Sequence, residues 1–164
     1  MATMKMFKRI AKWLVICLVV LFLAIQFVRP ARTNPAVDES QTIFARTQMT
    51  PQVAAIFNRS CADCHSNKTV WPWYSHVAPV SWLLVDDVNS ARGLFNLSEW
   101  ARLDRDRQDR KLRQICDEVE DGGMPLWYYT PLHRGSKLSP ADVKTLCDWA
   151  NAERALLTKA ETRP

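Results

Sequence analysis

Residues 61–65 read CADCH, placing two cysteines and a histidine in five positions of a chain that holds five cysteines and three histidines in all. The spacing C-x-x-C-H suits three chemistries: attachment of a c-type haem, half of a zinc site, or a redox dithiol. A structural zinc site needs four ligands, usually through a second C-x-x-C or H-x-x-x-H pair, and the sequence has no such pair. Cys116 and Cys147 stand alone on separate predicted helices. Both would have to converge on the first pair, leaving His65 without a role. A thioredoxin-like dithiol calls for a βαβ context, whereas this chain reads as helices. Haem attachment uses all three residues. Cysteines at i and i+3 share one face of a helical turn. Each sulfur can form a thioether with a haem vinyl group, and His65 reaches the iron from the same side. The bland alternative is two buried cysteines beside a core histidine.

Opposite a proximal histidine, a methionine thioether or a second imidazole is the usual partner, and methionine raises the potential. The candidates are Met49, Met124, His76 and His133. Met124 sits in GGMP, where two glycines free the backbone and Pro125 fixes it, far enough along the chain to return across a haem. Met124 is therefore the expected sixth ligand, ahead of His133 and then His76, with an open iron as the remaining option. Trp71, Trp73, Tyr74, Trp82 and Trp127 are candidates to line the pocket and keep water from the iron.

These residues need elements to hold them. Pro51 suits a first helical turn, and Val53, Ala54, Ile56 and Phe57 keep helical spacing into Cys61, so CADCH is expected at the end of a helix. The stretch NKTVWPWYSHVAP reads as an irregular loop. A second helix fits Val80–Leu94. A third is expected to open at Ser98 as N-cap and run to Gly122. Its charges Arg105/Asp109, Asp106/Arg110 and Asp109/Arg113 read as i,i+4 pairs of a solvated face. SPAD, with Ser139 as N-cap and Pro140 at the first position, announces a fourth helix to about Leu157. No strand-like alternation of any length occurs, so the fold class is all-α. Cys116 and Cys147 are expected as two separate buried thiols, a disulfide being the alternative.

The N-terminus carries most of the basicity. The net charge is +5, and Lys5, Lys8, Arg9, Lys12, Arg29 and Arg32 face no acidic residue within the first 32 positions, which leaves −1 for the rest. That distribution argues against a nucleic-acid groove, which needs a basic patch in the folded part. Trp13 to Val28 runs 16 residues without a charge. Counting Ile10 and Ala11, with Lys12 snorkelling back to the headgroups, it reaches 19 residues, within the roughly 17 to 25 that span a bilayer. The reading is an uncleaved signal anchor, with a cleaved signal peptide as the runner-up. Four basic residues before the span against two after it put the N-terminus in the cytoplasm and the rest of the chain outside. The expected division is 1–28 cytoplasmic stub and anchor, 29–43 linker, 44–158 haem-binding domain and 159–164 tail.

From about Phe44 to Leu157, and most of all in CADCHSNKTVWPWYSHVAPVSWLLVDDV, FNLSEW, GGMPLWYYTPLH and KLSPADVKTLCDWA, the chain resembles the bacterial haem-binding-domain family of c-type cytochromes. His76 departs from the smaller polar residue frequent at that place in similar chains. The resemblance implies a cytochrome c-like bundle of about four helices around one covalently bound haem c, often behind a membrane anchor. It also implies an aromatic contact between Phe57 and Trp149 where the first and last helices cross. The resulting expectation is a membrane-anchored monohaem cytochrome that passes single electrons among redox partner proteins of the cytoplasmic membrane or periplasm. On this reading it is no enzyme and binds no nucleic acid; its site residues are Cys61, Cys64, His65 and Met124. A haem-based sensor or gas-binding module is the rival, and a peroxidase a more distant one.

Overall fold

A computed structural model describes residues 2–161. Among them every regular element is helical. The seven α-helices are α1 (Ala2–Ile25), α2 (Ile43–Arg46), α3 (Pro51–Ser60), α4 (Ala62–His65), α5 (Val80–Leu94), α6 (Arg105–Glu120) and α7 (Pro140–Glu161), and 3-10 turns cover Glu39–Gln41, Trp73–His76 and Leu97–Arg102. The all-α class is as expected. The last three positions of the expected tail, 162–164, lie outside the described residues, and Lys159 to Glu161 continue α7.

The chain forms two compact units: residues up to Arg32 with Trp71–Asp87, and Thr33–Val70 with Val88 onward. In the smaller unit the end of α1 is fastened to the 75–82 segment. Gln26 donates through Nε2 to the Ala78 carbonyl at 3.1 Å and accepts from the Ala78 N–H at 2.9 Å. Trp82 Nε1 donates to the Val28 carbonyl, and Arg32 to that of Ser75.

The expected membrane anchor is not borne out. Among the described residues no helix is long and apolar enough to cross a membrane. The first half of α1 carries Lys5, Lys8, Arg9 and Lys12, and the helix ends at Ile25. Its charge-free part from Trp13 onward therefore rises only about 20 Å at roughly 1.5 Å per residue, against about 30 Å of hydrocarbon. Gln26 to Val28, which lengthen the uncharged run in sequence, lie beyond the helix in a turn. The single-pass topology built on that anchor, with a haem domain in the periplasm, falls with it.

The larger unit is built from α2, α3, α4, α6 and α7 with the Leu97–Arg102 turn. The pattern Val53, Ile56, Phe57, Ser60 puts one face of α3 inside, and Thr50 caps the helix by accepting from the Val53 N–H. α6 and α7 pack along each other, with Leu112, Val119, Leu146, Trp149 and Ala150 in the core. Phe57 meets Trp149 edge to face at 5.3 Å, so α3 and α7 make the expected aromatic contact. Residues 29–43 are more than a tether: Thr42 caps α2, and Ile43 is wholly buried in the core.

Two expectations about α6 change. Ser98 is not its N-cap. The chain leaves helical geometry at Glu99 (φ −126°, ψ 24°), Ser98 accepts from the Asn67 N–H instead, and Asp104 caps α6 through the Arg107 N–H at 2.8 Å. Asp109 pairs across to Arg154 of α7 at 2.8 Å, not along its own helix. The same packing brings Cys116 and Cys147 together as a disulfide, with Cα atoms 4.9 Å apart. The expectation of separate thiols is thereby corrected: each cysteine is solitary in sequence, and only the α6–α7 interface makes them neighbours.

Candidate functional site

α3 stops one residue before the CADCH motif. Cys61 leaves the helix (φ −127°, ψ −37°) and becomes the residue from which α4 restarts. Its carbonyl accepts from the Cys64 N–H at 3.2 Å and the His65 N–H at 2.9 Å. The motif is thus a turn of its own with Cys61 at its head, where sequence spacing had suggested the continuous end of one helix. Both Cys61 and Cys64 stand as thiols. Burial pushes the Cys61 thiol up to about 12, with the neighbouring Cys64 adding to the effect, so it stays protonated.

His65 is oriented from behind. Its Nδ1 lies 3.0 Å from the Phe95 carbonyl. A carbonyl can only accept, so Nδ1 carries the proton and Nε2 keeps the lone pair. A ring nitrogen fixed in this way is the usual arrangement of a metal-ligating histidine. Burial holds the imidazole below its ordinary titration range despite the carbonyl bond, which maintains the neutral, ligating form.

The segment after the motif is held as closely. Arg92 of α5 donates to the Ser66 carbonyl at 2.8 Å and to Thr69 Oγ1 at 2.8 Å, and Asn96 donates to Asn67 Oδ1 at 2.9 Å. In FNLSEW, therefore, Phe95 orients the histidine while Asn96 and Ser98 hold the turn that follows it.

Cys61 and His65 open onto a cavity of about 230 Å³ whose apolar walls include Phe57, Leu94, Phe95, Ile115, Val119 and Leu146. Met124 lines the same cavity. It follows Gly122, whose φ of +72° suits glycine, and Gly123, where a Cβ would lie 2.5 Å from the Glu118 carboxylate. The Met124 N–H donates to the Glu118 carbonyl at 3.1 Å, tying the loop to α6.

Met124 and His65 thus share one cavity. His133 does not line it: its ring stacks on Tyr129 at 3.7 Å, and its Nδ1 lies 3.0 Å from the Tyr129 carbonyl. His76 belongs to a 3-10 turn of the smaller unit. Nor do the five expected aromatic residues line the cavity; Phe57 and Phe95 take that place, and Trp73 and Trp127 are 78% and 81% exposed. Sequence reasoning missed the polar residues of the wall, Ser60, Lys111, Gln114 and Glu118. Within a charge-rich helix nothing marked Lys111 or Glu118 as bordering a cavity.

The residues fit a haem. The Cys61 thiol, a neutral imidazole with a fixed tautomer and the Met124 thioether meet at one apolar cavity, and Cys64 follows on the same turn as Cys61. Ser60 Oγ on its wall is buried without a hydrogen-bond partner, as befits a wall that awaits a ligand. No curated protein and no solved structure matches the chain. The haem-binding domain family does, over residues 20–152, a span that contains every residue of the cavity; the chain belongs to that family.

Proposed function

We propose that the protein is a monohaem c-type cytochrome that carries single electrons between redox partner proteins. The observation that carries this reading is the His65 ring, held through Nδ1 by the Phe95 carbonyl and sharing its cavity with Cys61 and Met124. On this reading Cys61 and Cys64 hold the haem c by thioethers. His65 and Met124 would be the protein donors to its iron, and the bound group would supply one-electron chemistry. The chain's own part is to keep those donors in place and to exclude water from the cavity, through Phe57, Phe95 and Ile115.

Two features favour a carrier over an enzyme. Held by both His65 and Met124, the group would keep no open position for a substrate, and a soft thioether donor would favour its reduced state. The cavity, about 230 Å³, is also smaller than the roughly 300–1,000 Å³ of pockets that enclose a ligand almost entirely. A group as large as a porphyrin would keep part of its rim in solvent, where a partner can reach it.

The test is spectroscopic. The ferrous protein should give the same spectrum with and without carbon monoxide, and a redox titration should be reversible with one electron per chain. Ready binding of carbon monoxide would refute the carrier and favour a sensor.

A further inference from the structure

The loop that brings Met124 to the cavity is fastened to the CADCH turn itself. Tyr129, five residues beyond Met124, donates its hydroxyl to Asp63 Oδ2 at 3.1 Å. Asp63 is the second variable residue of the motif, and its Oδ1 accepts from the Val70 N–H at 3.2 Å. Its carbonyl accepts from Thr69 Oγ1 at 2.6 Å, so the carboxylate is held from its own side.

Tyr129 is in turn the hub of the loop. Its carbonyl accepts from the Leu132 N–H and from His133 Nδ1, its N–H donates to the Leu126 carbonyl, and its ring lies flat on that of His133. At the far end of the loop Arg59 of α3 donates to the Gly135 carbonyl at 3.0 Å. The loop is therefore pinned from within the motif and from two residues before it.

We propose that Asp63 is a positioning residue for the sixth ligand, acting through the Tyr129 hydroxyl to hold Met124 at the cavity. This rests on the reading of Met124 as an axial donor. A thioether bound to iron competes with a loop swung away, and the ligated fraction follows the equilibrium between the two positions. Removing one hydrogen bond that exists only in the closed position should shift that equilibrium about fivefold. Asparagine keeps an acceptor oxygen in place of the carboxylate, so Asp63→Asn should retain most of the effect that Asp63→Ala loses.

The experiment uses the full chain matured with haem. Parent, Tyr129→Phe, Asp63→Ala, Asp63→Asn and Met124→Ala are compared for haem content, for sulfur-to-iron charge-transfer absorption and for displacement of the sixth ligand by added imidazole. Tyr129→Phe and Asp63→Ala should keep parental haem content and bind imidazole about fivefold more tightly, with Asp63→Asn close to the parent. If the absorption depends on Met124 but Tyr129→Phe and Asp63→Ala bind imidazole like the parent, the positioning role is overturned and the axial reading survives. If Met124→Ala leaves the spectrum unchanged, the axial reading is overturned and the proposal with it.

Discussion

Around the cavity each residue type answers a separate physical need. The carbonyl of Phe95 fixes the His65 tautomer, burial keeps Cys61 protonated, and Gly122 supplies the positive φ that turns the chain toward Met124. The candidate donors stand out in the sequence, because C-x-x-C-H and GGMP are local patterns whose spacing implies a chemistry. Their supports do not: Phe95, Arg92 and Tyr129 act through contacts made across 30, 26 and 66 residues of chain. Met124→Ala should abolish the sulfur-to-iron absorption and lower the reduction potential, because the ferric state loses less than the ferrous when a soft donor goes. A methionine that merely filled space would instead cost about 2–5 kcal/mol of stability when truncated and leave the haem spectrum alone. Phe57→Ala, which removes a fully buried ring from the contact with Trp149, should cost about 3–5 kcal/mol, read from the denaturant midpoint.

Among the elements, α5 and α7 begin where the sequence places them and α6 does not. α5 spans Val80–Leu94 as the apolar spacing predicts. α7 begins at Pro140 because Ser139 and Asp142 bond reciprocally. α6 starts later than Ser98 suggests, since tertiary demand from Asn67 takes the serine hydroxyl. Asp142 also meets Arg59 at 2.7 Å, and this guanidinium, with the Ser139 bonds, lowers its carboxyl to about 2 from an ordinary 3.8. A carboxyl depressed by folding stabilises the native state above its unfolded value and loses that contribution as pH falls through the folded one. Acid unfolding should thus steepen between pH of about 4 and 2, and Asp142→Asn should flatten that limb of the curve. The Cys116–Cys147 disulfide closes a separation of 31 residues, worth about 3.5 kcal/mol by loop-closure entropy. Reduction, or replacement of both cysteines by serine, should lower stability by that order while the haem remains attached.

For the molecule as a whole, the sequence conveyed the helical class and the order of elements around the motif, but misjudged its N-terminal third. An uncharged run ending at Val28 looked long enough to span a bilayer; the helix ends at Ile25 and its first half carries four basic residues. Hydropathy reports composition along the chain and not where a helix stops. Likewise residues 29–43, poor in periodicity, gave no sign that Ile43 would be fully buried, because a single buried residue makes no pattern. The central claim is that Cys61, Cys64 and His65 form the attachment site of a haem. Produced in cells that mature c-type cytochromes, the chain should keep its haem on a denaturing gel, since thioether bonds do not depend on the fold. The band should stain for haem in the parent and in Cys116→Ser/Cys147→Ser, and lose the stain in Cys61→Ala/Cys64→Ala. A parent band without haem would contradict the account.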